Sequence, residues 1–363
     1  MQKEVAVIGG GVVGLVLAKE LARGGIPVTV YEAKRRIGEG ANKASGIVSV
    51  DGLASIGVDY RKAVLNRLDG AVLYARRQRL DIKARGVKAY VLDRETLARL
   101  CAEEAEKAGA EIVLNKKIVG DELSKLGEDC IVVGADGVVS NVASHFGFPK
   151  ISTYILTYKA EYENALIGDR HSCELFFSGP SKKFFGWTVP HSETLLEVGI
   201  GEWMGGRRNS LSVFNAFSTD GRVSSEIGGA TRVSGLASMI PLQARKKTVK
   251  GNVLLVGDAA GHVKATTGGG LVFGALCAKT AAEAITSNIR NGAPLALYEK
   301  LWRKRYGFDL GMHRAIHGYY LRIGPKGAEF LFGLAKMLGV EGFLSEYGDM
   351  DSPSRVMKRV FAR

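Results

Sequence analysis

Glu4-Val-Ala-Val-Ile-Gly-Gly-Gly-Val-Val-Gly14 is the stretch that decides the fold. Glu4 to Ile8 has strand character and opens directly into Gly9-x-Gly11-x-x-Gly14. Leu15 to Arg23 then reads as a helix stopped by Gly24-Gly25, and a second β run, Val28-Thr-Val-Tyr31, closes on Glu32. Strand, glycine turn, helix and a second strand ending in an acid make one unit that takes a dinucleotide. Gly9 permits the tight turn. Gly11 lets the backbone come up to a pyrophosphate at the helix N-terminus, and Gly14 lets helix and strand pack closely. Glu32, 18 residues after Gly14, is placed to accept hydrogen bonds from ribose hydroxyls and would repel a 2′-phosphate, which disfavours NADP there. Ala33 falls beside it on the same edge of the expected site.

Two further strand-and-turn motifs lie downstream. Ile131-Val-Val-Gly134-Ala-Asp136-Gly137 reads as a buried strand that breaks at Gly134 and turns through Asp136-Gly137. Val253-Leu-Leu-Val256-Gly257-Asp258 ends a third strand in an acidic turn. The run Gly268-Gly269-Gly270 follows, then an apolar helix from about Leu271 to Ile289. Tyr90-Val-Leu-Asp93-Arg94 opens another helix, with Asp93 as its N-cap and Arg94 set against the helix dipole. Between these blocks, about 150–245, apolar residues alternate with polar ones as in strands, which predicts an antiparallel sheet. Within it stands Phe185-Gly-Trp187-Thr-Val-Pro190, followed by Gly199-Ile-Gly201.

The set and order of these motifs resemble the FAD-dependent geranylgeranyl reductase family, archaeal-type, within the para-hydroxybenzoate hydroxylase-like flavoproteins. Phe185 to Pro190 and Gly199 to Gly201 look like that family's Tyr-x-Trp-x-Phe-Pro…Gly-x-Gly signature, with Phe185 in place of Tyr and Val189 in place of Phe. The resemblance covers most of the chain. It implies an α/β fold: a three-layer Rossmann-type FAD domain, an antiparallel substrate sheet and a helical C-terminal region. The FAD domain is expected over 1–70, 86–150 and 246–290, and the sheet over 71–85 and 151–245. The helical region is expected over 291–363, broken at Gly324-Pro325.

The resemblance also implies roles. Besides Gly9, Gly11, Gly14, Glu32 and Ala33, the FAD would be held by Arg94, Asp136, Gly137, Gly257 and Asp258, the last on the ribityl chain. The amides of Gly268 to Gly270 and the helix opening at Leu271 would face the isoalloxazine and favour negative charge on the reduced ring. Ser45 stands where well-known members carry a Cys before a Gly. Ser45 and Gly46 are expected to line the flavin pocket, and with Lys264 they are the catalytic candidates. His262 is a further candidate by position for the proton donor. Phe185, Trp187 and Pro190 would shape the substrate tunnel, although a sheet tryptophan is as often simply a core residue. The implied reaction passes a hydride from reduced flavin N5 to a trisubstituted prenyl C=C of an isoprenoid lipid or prenyl diphosphate. The electrons would come from an external donor, NADPH, ferredoxin or another. Two rival readings share the fold: an FAD-dependent monooxygenase or halogenase of an aromatic or apolar substrate, and a non-catalytic membrane-surface electron carrier.

Composition sets the outer bounds. Of 363 residues 47 are glycine and only 8 proline, without a collagen period, so the glycines serve turns and close backbone approaches. Cys101, Cys130, Cys173 and Cys277 are far apart and form no CxxC, which argues against a zinc ribbon or a cysteine-ligated iron–sulfur cluster, and no metal site is expected. They also point to a cytoplasmic location with reduced thiols. Lys3 and the apolar run to Ala18 imitate a secretion signal, but Glu4 and three glycines fit that poorly. No uncharged stretch reaches the roughly 18 apolar residues of a membrane span. The net charge of +13 suggests an anionic partner. No nucleic-acid motif is present, so nucleic acid ranks last and an anionic lipid first. Trp302-Arg-Lys-Arg305 and Arg355 to Phe361 are the basic segments expected to meet it, the second as an amphipathic helix at the inner face of the cell membrane.

Overall fold

The computed structural model describes residues 4–206 and 208–361. Lys3 of the leader-like pattern lies outside them.

The first sheet is built from runs too apolar to face water on either side. Its strands lie in the order Val249–Lys250, Val253–Leu255, Ile131–Gly134, Val5–Ile8, Val28–Tyr31 and Glu111–Val113. All pairs are parallel except the edge pair Val249–Lys250 with Val253–Leu255. Parallel sheets are covered on both faces, and the strands Val5–Ile8 and Ile131–Gly134 are buried throughout. The helices Val12–Arg23, Arg94–Lys107 and Leu271–Asn291 pack together over this sheet, through Leu15, Leu17 and Leu21 against Ala278, Ala281 and Ile285 among others. Asp93 caps the second of these helices, accepting from Thr96 N at 2.5 Å.

The second sheet carries the antiparallel signal of the middle segment. Its order is Thr231–Arg232, Tyr154–Glu163, Leu196–Trp203, Gly186–Pro190, Ser172–Phe176, Gly70–Ala75 and Gln78–Lys83, with Leu236–Pro241 also paired to Tyr154–Glu163. One pair, Ser172–Phe176 with Gly70–Ala75, is parallel. Alternation divides the faces. Tyr158, Ala160 and Tyr162 pack under the helices Ser210–Ser218 and Gly221–Ile227, against Phe214, Phe217 and Val223. The intervening Thr157, Lys159 and Glu161 therefore point the other way, toward the parallel-sheet layer. A three-stranded sheet, Ile47–Ser49, Ala89–Leu92 and Val64–Leu68, lies between the two.

The C-terminal part is helical. Leu297–Met337 is interrupted at Gly324, whose φ of 63° and ψ of −173° leave the helical region just before Pro325. It ties the sheets together: Tyr298 donates to Leu255 O at 2.9 Å, and Tyr320 donates to Phe177 O at 2.9 Å. Val340–Tyr347 and Pro353–Phe361 complete the chain. The four cysteines are buried and unpaired. Among the described residues no helix is long and apolar enough to cross a membrane.

Candidate functional site

The nucleotide end is made mostly of backbone. Gly9 has a φ of +112°, and a Cβ there would sit 2.7 Å from the carbonyl carbon of Ala135. A Cβ on Gly14 would overlap Gly9 O, so the glycine lets the helix Val12–Arg23 start directly on the strand. Gly11 is different. A Cβ there would meet nothing within 4 Å, so the helix N-terminus opens onto free space. Glu32 completes this edge. Its carboxylate accepts from Gly10 N at 2.7 Å and from Lys34 N at 2.9 Å, which fixes it beside the turn. Ala33 is exposed next to it.

Asp136 behaves differently from the expectation. Its carboxylate accepts from Ser140 Oγ at 2.6 Å and Val142 N at 3.0 Å, so it organises the start of the helix Asn141–His145. Gly137, with a φ of +81°, has open space beyond it.

The flavin-side candidates converge. Arg94 is not a solvated surface residue: its Nε is buried with no partner in the chain, and its charge lies near Asp258. Burial raises the Asp258 carboxyl and Arg94 partly offsets this, while burial pulls the Arg94 guanidinium down. Among the described residues none donates a hydrogen bond to the Asp258 side chain. A buried donor left without a partner beside this carboxylate marks where a polar ligand completes the pairing. Asp258 is pressed against the glycine run, since a Cβ on Gly270 would lie 2.6 Å from its Oδ1. Gly268 packs under Ile240 of the second sheet, and Gly269 over the Lys264 side chain. Gly257, with a φ of +61°, passes close to Val13. Leu271, buried, starts the following helix.

The loop carrying Ser45 and Gly46 is held from below. Asn42 accepts from Arg94 N at 2.8 Å and donates to Asp93 at 3.0 Å. Gly46 O accepts from Leu92 N at 3.1 Å, and Leu92 leaves no room for a Cβ on Gly46, so its glycine is explained by packing. Ser45 stays half-buried.

Lys264 is fully engaged. It donates to Asp351 Oδ1 at 2.5 Å and to Met350 O at 3.1 Å. Asp351 also accepts from Ser49, and its carbonyl meets His313 Nε2 at 3.0 Å. The C-terminal segment is thereby latched onto the glycine loop. His262 is wholly buried against Trp302, with ring centroids 4.6 Å apart and neither ring nitrogen partnered. Burial and the nearby Arg303 drive its pKa down to about 3, so it stays neutral.

The sheet face opposite holds a network that sequence reading missed. Trp187 donates to Glu197 Oε1 at 2.7 Å, and Lys159 Nζ meets Glu197 Oε2 at 2.5 Å. Lys159 also reaches Glu161 at 3.4 Å and the carbonyl of Ala44, the residue before Ser45, at 3.3 Å. His191 stands 3.5 Å from the same carboxylate. Burial alone would raise the Glu197 carboxyl, but His191 and Lys159 together hold it down at about 2. Glu161, His191 and Glu197 are close enough to hold a metal, but the Lys159 ammonium already stands among them as the cation. The local signal was weak: Lys159, Glu161 and Glu197 are polar residues at inward positions of strands, without a motif.

Aromatic packing explains the Gly-x-Gly pair. The Trp187 ring lies on Gly199, where a Cβ would be 2.7 Å from its Nε1, and the Phe184 ring fills the space over Gly201. Phe185 stacks on Phe184 at 4.4 Å between centroids and meets Phe177 at 5.5 Å. Pro190 is buried at the strand end, where its carbonyl accepts from Asn66 at 2.8 Å.

A cavity of about 1180 Å³ lies between the small sheet, the hairpin Gly70–Lys83 and the C-terminal helices. Its inner wall includes Leu68, Ala89 and Cys173, which pack in one apolar cluster with Trp187. Burial pushes the Cys173 thiol up to about 12, so it lines the wall as a neutral group. The basic segment Trp302 to Arg305 is tied into the fold. Trp302 is buried, Arg303 caps the carbonyls of Arg245 and Lys246, and Arg305 pairs with Glu283.

Residues 2–306 match the family described as FAD binding domain. A digeranylgeranylglycerophospholipid reductase 2 of Methanothermobacter thermautotrophicus is 32% identical over 343 residues, covering 85% of this chain and 86% of that protein. The solved geranylgeranyl bacteriochlorophyll reductase-like protein of Thermoplasma acidophilum superposes with a TM-score of 0.81, covering 99% of this chain and 95% of the other, at 18% identity. A flavin-dependent brominase superposes with a TM-score of 0.67 over 100% of this chain and 99% of the other, at 14% identity. The two structural likenesses speak for the fold. The family match and the 32% relative go further: the chain belongs to the FAD binding domain family, alongside the digeranylgeranylglycerophospholipid reductases, and is an FAD-dependent oxidoreductase.

Proposed function

We propose that this protein hydrogenates C=C bonds in the geranylgeranyl chains of an isoprenoid lipid or prenyl diphosphate. The single observation that carries the reading is the large cavity whose apolar wall closes on the Trp187 cluster. Ligand pockets usually run to about 300–1,000 Å³, so this one suits a long chain rather than a single aromatic ring. When bound, FAD supplies the hydride chemistry.

The chain's own residues hold and shield. Gly9, Gly11, Gly14 and Glu32 would take the adenosine and pyrophosphate, with the helix N-terminus at Gly11 facing the charge. Arg94 and Asp258 would close the flavin end, with Arg94 Nε gaining the partner it lacks. Gly268 to Gly270 would face the ring. Trp187, oriented by Glu197, and Phe185 would wall the substrate and keep water from the reacting bond. An external donor, NADPH or ferredoxin, is required for each turnover. The reading places the protein in the cytoplasm, at the inner face of the membrane that holds such a lipid.

Anaerobic stopped-flow absorbance of the dithionite-reduced holoenzyme tests this. The flavin is expected to reoxidise on mixing with a geranylgeranyl phospholipid and not with its fully saturated counterpart. Equal reoxidation by both lipids, or an oxygenated or halogenated aromatic product in air, would overturn the assignment.

A further inference from the structure

We infer that the mouth of the large cavity is a binding site for a phosphate-bearing head group. The inference rests on the reductase reading only for the chain that follows the head into the cavity.

The lining is charged at one end and apolar at the other. Leu68, Ala89 and Cys173 close the inner wall. Six lining residues are Lys or Arg and four are Asp or Glu, an excess of two positive charges. The pairing inside the lining leaves this excess unchanged and shows which cations carry it. Lys83 is neutralised by Asp69 at 2.7 Å and Asp169 at 2.9 Å, and Arg355 by Asp349 at 3.4 Å. That leaves Arg85, Lys88, Lys358 and Arg359, none of which is ion-paired with a described residue, against Asp51 and Glu346.

The geometry explains why these cations gather. Arg85 and Lys88 sit on the turn between the strands Gln78–Lys83 and Ala89–Leu92. Arg355, Lys358 and Arg359 recur at helical spacing on Pro353–Phe361, so they share one face, and that face lines the cavity. The basic C-terminal helix thus turns its charge toward the cavity. A phosphate accepts several charge-assisted hydrogen bonds at once, and a fork of Arg and Lys donors from two elements suits it. A phosphodiester lipid and a prenyl diphosphate share this chemistry. An uncharged prenyl alcohol offers nothing to it.

The test is equilibrium binding to the FAD-loaded protein, read by calorimetry and so independent of turnover. The probes are a digeranylgeranylglycerol phosphodiester, geranylgeranyl diphosphate and geranylgeraniol, each in neutral detergent. At least one anionic probe is expected to bind at least about tenfold tighter than the alcohol, the sum of several modest exposed contacts, and to weaken as salt is raised. The variants R85E/K88E and K358E/R359E should erase that advantage and leave alcohol binding unchanged. Charge reversal at Lys107 and Lys125, away from the cavity, should leave it intact and controls for net charge. Which anionic probe gains more tells the lipid source from the diphosphate source. No advantage for either anion, or an advantage that survives both double variants, would overturn the proposal. Selective binding without reduction of any probe would instead defeat the reductase reading and leave the head-group site standing.

Discussion

Glycine serves opposite ends in two regions of this molecule. At the nucleotide turn, Gly11 has open space beyond it, so the missing side chain leaves room for something outside the chain. On the second sheet, Gly199 and Gly201 have the rings of Trp187 and Phe184 on top of them, so there the missing side chains leave room for the protein itself. The first region is built from backbone and faces open space. The second is built from side chains, and its aromatic wall is held by the buried Lys159–Glu197 pair. A short glycine pattern therefore does not by itself mark a ligand contact; what lies above each glycine decides.

The largest expected effect breaks the side-chain region. Replacing Lys159 by Met leaves Glu197 buried and charged without its counter-ion, which costs about 3–5 kcal/mol in urea unfolding. The same pair sets an acid limb. Because the Glu197 carboxyl is held at about 2 when folded, below its ordinary value, its contribution is fully present above the ordinary carboxylate range. That contribution fades as the pH falls toward about 2, and E197Q should flatten this part of the stability–pH curve. Next comes G199A, where the new methyl meets the Trp187 ring and costs about 1–3 kcal/mol. A W187F/G199A double variant should recover part of that loss, since the atoms in the way are those phenylalanine lacks. A full sum of the two single effects would mean that Gly199 is not there for the ring.

Of similar size is D351N. It weakens the bond to Lys264 and should cost about 1.5–3 kcal/mol, with faster proteolysis after residue 348 as its signature. The smallest effect on folding belongs to the backbone region. G11A should leave unfolding of the apoprotein within about 0.5 kcal/mol of wild type, because no atom stands in the way. Its FAD affinity should nevertheless fall at least about tenfold in a fluorescence titration, since the methyl enters the space meant for the pyrophosphate.

What could be read from the sequence follows the same division. The parallel sheet, its glycine turn and the strand that ends on Glu32 were legible because short stretches of neighbouring residues encode them. Asp93 as N-cap and the break at Gly324-Pro325 are local in the same sense. The Lys159–Glu197–Trp187 network was not legible, because it depends on the register of separate strands that place Lys159, Gly199 and Trp187 side by side on one face. Asp351 on Lys264 is 87 residues away in the chain, and no pattern announces it. Asp136 shows the converse: its motif was visible, but its carboxylate is committed to the helix at Asn141. The basic stretch at Trp302 was likewise visible as charge, while its use in capping carbonyls and pairing with Glu283 is a tertiary fact.

The most direct measurement is the mass of the lipid itself. Digeranylgeranylglycerophospholipid incubated anaerobically with dithionite-reduced, FAD-loaded protein should gain two hydrogens for every double bond reduced. Lipid recovered at unchanged mass, with the flavin still reduced, would contradict the account.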